Sequence, residues 1–97
     1  MKDHQYYVYI LTNFKKTVLY VGVTNDLVRR LGEHERGESE FTAKYNCFHL
    51  VHWEFHQYVN NAIEREKEIK GWRRSKKETL VNDFNPEWKF LNQEVKD

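Results

Sequence analysis

The chain has one cysteine, Cys47, and one proline, Pro86, in 97 residues. A lone cysteine excludes an internal disulfide and any paired-cysteine zinc motif, and it suits a reducing compartment, so a cytoplasmic location is expected. The four glycines are scattered, which leaves no glycine-rich loop to cradle phosphates. No apolar run approaches a membrane span, and Met1-Lys2-Asp3-His4-Gln5 lacks the apolar core of a signal peptide. A net charge of +1 argues against a strong nonspecific polyanion binder. No serine lies in a nucleophile elbow, and there are no repeats, low-complexity segments or linkers. Length and continuity predict a single domain over residues 1–97.

What is abundant is aromatic and charged: 15% Phe, Trp and Tyr, and 32% Asp, Glu, Lys and Arg. Two aromatic, β-branched runs, Tyr7-Val8-Tyr9-Ile10-Leu11 and Leu19-Tyr20-Val21-Gly22-Val23, read as strands joined by a polar link. A four-residue loop from Asn13 to Lys16 would pair Thr12 with Thr17 and set Tyr9 opposite Tyr20, so that two phenols share a face. Asn25 or Asp26 caps a helix carrying Leu27, Arg30, Leu31 and His34 and ending at Gly37. A short helical turn is expected within Phe41 to Tyr45, and a third strand over Phe48 to Phe55. Asn60 or Asn61 caps a second helix reaching about Arg73. Ser75-Lys76-Lys77-Glu78 fits a capping box for a third, and Asn85-Pro86 stops it. The predicted class is α/β of the α+β kind: a small three-stranded antiparallel sheet flanked by helices, in the order β-β-α-β-α-α.

Charge is distributed unevenly. Glu33, Glu35, Glu38 and Glu40 make the middle acidic. Lys67, Lys70, Arg73, Arg74, Lys76 and Lys77 make a later stretch basic, with Glu68 the one acid among them. Such a run is a solvated helix face or a phosphate-contacting surface. Arg30 and His34 lie on the apolar stripe of the first helix, and Glu66 lies on that of the second, between Ala62 and Ile69. A carboxylate there is costly unless paired or bound to a cation. Glu66 is therefore either a stripe-edge group reaching water or Arg30, or a metal ligand or general base. Arg30 is either its ion-pair partner or a bidentate phosphate holder. His49, His52 and His56 cluster about the third strand, with His52 and His56 on one face, but without zinc-ligand spacing.

Taken together, these residues resemble the GIY-YIG nuclease superfamily. Tyr7-Val8-Tyr9 matches the first signature element and Tyr20-Val21-Gly22 the second, with ten residues between Tyr9 and Tyr20. Arg30, Glu66 and Asn85 follow at fitting positions. The resemblance spans nearly the whole chain and is closest to the small stand-alone members, through Tyr-Val-Gly-Val-Thr-Asn-Asp-Leu, Phe-Thr-x-Lys-Tyr, Ile-Lys-Gly-Trp and Asn-Pro-Glu-Trp. It extends to the N-terminal nuclease domain of the repair excinuclease. Tyr7 replaces the first glycine, Val23 stands where the excinuclease branch carries lysine, and His34 where some members have tyrosine or histidine.

The resemblance implies an endonuclease, a phosphodiester hydrolase that uses one Mg²⁺ or Mn²⁺ held by Glu66. Tyr9 would help take a proton from the attacking water, its pKa lowered by the cation, Arg30 and a hydrogen bond from Tyr20 or His34. Arg30 would neutralise transition-state charge, Asn85 would buttress the site, and Gly22 would let backbone approach a phosphate. Hairpin, first helix and second helix would then converge on one face. The partner would be nucleic acid, DNA ahead of RNA, with a protein partner for targeting, no membrane, and a monomeric chain. The alternative is a nucleic-acid-binding module of the same fold with little turnover.

Overall fold

Period-two alternation in the first two runs sorts the sheet into two faces, and every helix is placed by that sorting. The computed structural model describes residues 5–97. Strands β1 (Tyr6–Thr12) and β2 (Leu19–Thr24) form the hairpin. Helices α1 (Leu27–Glu35) and α2 (Glu40–Tyr45) follow, then β3 (His49–His56), α3 (Val59–Lys70), α4 (Arg74–Phe84) and α5 (Asn92–Lys96). The sheet is antiparallel, in the order β2-β1-β3. The predicted three-stranded α+β arrangement is therefore present; α2 is the short helical turn expected around Phe41 to Tyr45, and the terminal helix α5 is an addition. No helix among the described residues is long and apolar enough to cross a membrane.

One face of the hairpin presents Val8, Ile10 and Val21. These are buried against Ala62 and Ile69 of α3 and Val81 of α4. The other face presents Tyr9 and Leu11, buried with Leu27 and Leu31 of α1, Leu50 of β3 and Leu91. Strands with apolar residues on both faces must be covered on both, and the helices divide accordingly.

The hairpin register departs from the expected one. Thr12 pairs with Leu19 and Tyr9 with Gly22, so the loop runs from Asn13 to Val18. The Asn13 side chain builds this longer loop: its Oδ1 accepts from the backbone N–H groups of Thr17 at 2.8 Å and Val18 at 3.1 Å. The Thr12 hydroxyl donates to the Val18 carbonyl at 2.8 Å. These bonds draw Thr17 and Val18 out of the ladder. The shift is two residues, so Tyr9 and Tyr20 keep a common face, with ring centroids 6.4 Å apart.

Helix ends follow local chemistry unevenly. The Asp26 carboxylate accepts from the Arg29 N–H at 3.1 Å, as a cap should. Helix α3 starts at Val59 without a side-chain cap, and it closes at Gly71 rather than running to Arg73. The Ser75 capping box is not used. Helix α4 has Arg73 as its N-cap, two residues before Ser75, and Glu78 pairs with Arg74 at 2.8 Å instead. Asn85 leaves the helical region just before Pro86, as the proline demands.

Candidate active site

Three elements place the first group of side chains. β1 supplies Tyr9, β2 supplies Tyr20 and Gly22, and α1 supplies Arg30 and His34 on the stripe that covers this face. Tyr9 is 1% exposed and His34 fully buried, an unusual depth for two polar rings. Their burial is compensated by hydrogen bonds. The Tyr9 hydroxyl lies 2.8 Å from His34 Nε2, and His34 Nδ1 lies 2.8 Å from the Thr42 hydroxyl of α2. That hydroxyl also lies 3.3 Å from the Ser39 carbonyl. The imidazole is thus held at both nitrogens, Nε2 by Tyr9 and Nδ1 by Thr42, which fixes the orientation of the ring.

Burial, reinforced by the Arg30 charge, pushes the His34 pKa down to about 4, so the ring is neutral at pH 7. Burial and the neighbouring Tyr20 push the Tyr9 phenol up to about 12, although Arg30 beside it pulls the other way. Among the protein's own groups desolvation exceeds the help from one guanidinium; the expected lowering also counts on the cation. Arg30 is half-buried and meets Glu33 rather than Glu66, with Nη1 2.7 Å from the carboxylate. Glu33 also holds Arg29 at 2.6 Å.

Gly22 also has a packing role. A Cβ built there would lie 2.5 Å from both Cζ and the hydroxyl oxygen of Tyr9. The missing side chain makes room for the phenol.

Glu66 does not join this group directly. It is 9% exposed, on α3 and therefore on the opposite side of the sheet from α1. The two sheet faces are covered separately, α1 over the Tyr9 face and α3 over the face of Val8 and Ile10. One Glu66 oxygen lies 2.6 Å from the Lys70 ammonium. Among the described residues no group of three or more His, Cys, Asp or Glu side chains is placed to hold a metal. A single carboxylate fits a hard cation that keeps most of its waters and borrows oxygens from its substrate.

Asn85 lies apart. Its amide donates to the Val51 carbonyl at 3.1 Å and the Lys89 carbonyl at 2.9 Å, and its oxygen accepts from Lys89 N–H. It fastens the turn after α4 to β3 and has no hydrogen bond to the Tyr9 group.

The basic stretch is partly committed to internal contacts. Lys70 serves Glu66. Arg74 donates to the Thr17 carbonyl at 2.6 Å and the Lys16 carbonyl at 2.8 Å, clipping the hairpin loop to α4. Lys76 sits 4.4 Å over the Trp72 ring. Arg73 is exposed and Lys77 half-buried, and both stand without an ion pair among the described residues.

Two groupings carry little signal in the sequence. Thr42 lies in the Phe-Thr-x-Lys-Tyr stretch, and that stretch is its only mark. Glu54 accepts from His52 at 2.9 Å, His56 at 3.2 Å and both Nε and Nη2 of Arg65 at 3.0 Å. Burial alone would raise its carboxyl, but these bonds hold it well below the usual carboxylate range. The face shared by His52 and His56 is thus a carboxylate cradle.

Residues 5–79 match the family of the GIY-YIG catalytic domain. The chain is 43% identical over 82 residues to a UPF0213 protein of Natronomonas pharaonis, covering 84% of this chain and 93% of that one. It is 29% identical over 97 residues to a UPF0213 protein of Bacillus pumilus, covering 99% and 98%. The solution NMR structure of a UPF0213 protein from Bacillus halodurans superposes with a TM-score of 0.53 at 34% identity, over 80% of this chain and 83% of that one.

Proposed function

The chain belongs to the GIY-YIG catalytic-domain family, and from that premise we propose that it is a divalent-cation-dependent endonuclease acting on nucleic acid. The observation that carries the reading is the Tyr9–His34–Thr42 hydrogen-bond chain, because packing alone does not call for a polar relay at the bottom of an aromatic pocket. Family membership supports nuclease-like chemistry in general. The cation, the roles of the residues and the preference for DNA are our own assignment.

In this assignment Tyr9 orients the attacking water and helps take its proton, while His34 holds the phenol in place through the 2.8 Å contact with its hydroxyl. A pKa of about 12 keeps the phenol protonated at pH 7, and Arg30 beside it is the group that favours its ionised form. Arg30 offsets charge accumulating on the phosphate oxygens, and Glu33 holds its guanidinium in place. Glu66 would hold Mg²⁺ or Mn²⁺, and when bound that ion supplies charge neutralisation at the departing oxygen. Lys70 beside Glu66 balances its carboxylate until the cation arrives.

One observation favours the second reading, a binding module with little turnover: the Tyr9 phenol is buried and held protonated. Nicking of labelled DNA and RNA with and without Mg²⁺ or Mn²⁺ separates the two. The hydrolase reading expects cleavage that needs the cation and is lost by at least about a hundredfold in Glu66→Ala and Tyr9→Phe. Parent protein that binds but never cuts gives the case to the binding module. Cleavage that persists in Glu66→Ala removes the assigned carboxylate.

A further inference from the structure

The Tyr9 pocket does not end at Tyr20. A run of rings leads from it to the surface: Tyr20 to Phe41 at 5.6 Å and 31°, then Phe41 to Tyr45 at 4.8 Å and 46°. Tyr9 is 1% exposed, whereas Phe41 is 45% and Tyr45 41% exposed. Both outer rings stand on α2, the helix that Thr42 ties to His34. The Lys44 ammonium lies 5.4 Å over the Tyr45 ring.

We propose that Phe41 and Tyr45 form a stacking platform for an unpaired base beside the scissile phosphate, so that the site takes single-stranded or locally opened nucleic acid in preference to closed duplex. This rests on reading the Tyr9 pocket as a nucleic-acid site. Two adjacent rings left half in water are an unfavourable way to finish a small fold, since each would gain by being covered. A nucleobase is a flat apolar partner that covers such rings whatever its identity. In closed duplex the bases are already stacked on one another, so only an unpaired or extruded base can lie on a side chain. Charge does not explain the patch as a general phosphate binder. Glu40 shares the short helix with Lys44, and nearby Arg36 is paired with Glu38 at 2.7 Å. Affinity there must come from stacking, with Lys44 contributing about one phosphate contact.

The test is equilibrium binding of fluorescein-labelled oligodeoxythymidylate, oligouridylate and a duplex of equal length. It is run on the Tyr9→Phe protein without divalent cation, so that nothing is cut. The proposal expects single strands to bind more tightly than duplex. It expects Phe41→Ala and Tyr45→Ala each to weaken single-strand binding by about tenfold. Phe41→Tyr, which keeps the ring, should bind like its parent, and unchanged circular dichroism excludes unfolding. The two single-strand arms separate DNA from RNA. Equal affinity for duplex, or alanine variants that bind single strands as well as their parent, overturns the platform. Cleavage is scored separately on the unmutated chain and its Phe41→Ala form. Duplex cutting untouched by Phe41→Ala removes the platform and leaves the hydrolase. Ring-dependent binding with no cutting by the unmutated chain removes the hydrolase and leaves the platform.

Discussion

Gly22 and Tyr9 are one unit. The phenol occupies the volume that any Cβ at position 22 would need. Gly22→Ala should therefore push the ring off His34 and destabilise the fold by about 1–3 kcal/mol, the usual cost of overpacking. Chemical denaturation would measure the loss, and activity should fall with it. His34 carries the second prediction at this scale. Its folded pKa is depressed to about 4 from an ordinary value of 6.5. Between those values the unfolded chain binds a proton that the folded chain cannot. Stability therefore falls as pH drops from about 6.5 to 4, by an amount on the order of 3 kcal/mol, and levels off below. Denaturation midpoints measured across this window should follow that course, and His34→Gln should flatten it.

At the scale of elements, the hairpin loop and α4 depend on each other through Arg74. Its guanidinium makes two charge-assisted bonds to the loop carbonyls of Lys16 and Thr17, whereas its exposed pair with Glu78 adds little. Arg74→Ala should cost about 1 kcal/mol and make the loop at Lys15 and Lys16 more sensitive to trypsin, with α4 retained. This clip was invisible in the sequence, where Arg74 is one cation in a basic run. The strands were legible because their aromatic and β-branched residues alternate over a two-sided core, and α1 was legible because Asp26 and the leucine stripe agree. Register was not: it hangs on the Asn13 side chain, a tertiary choice that no spacing rule encodes. The start of α4 was missed because Arg74 found partners outside the helix and drew Glu78 away from the capping box. α5 was missed because it is five residues long and held by distant contacts, Asn92 to β3 and Lys96 to Glu35 at 2.7 Å.

Across the whole molecule, the candidate groups were legible by residue type and by sheet face but not by side of the sheet. Tyr9, Tyr20, Arg30 and His34 assemble where the hairpin pattern put them. Glu66 sits behind the sheet because the same pattern gives α3 the even-numbered face of β1. Among the described residues most arginines are committed internally, which leaves Lys15, Lys67, Arg73 and Lys77, together with Lys44 over the Tyr45 ring, as the cations most available to a polyanion. With so few, nucleic-acid binding should be weak and salt-sensitive, with a slope corresponding to roughly two to four phosphate contacts. Titration against salt measures it directly, and Lys44→Ala should reduce the slope by about one.

The Tyr9–His34–Thr42 chain also sets a clock. Both ring nitrogens of His34 face buried partners, so the proton the ring carries exchanges with solvent through local opening. The rate at which that proton is replaced from bulk water therefore measures how often the packing of α2 on α1 loosens.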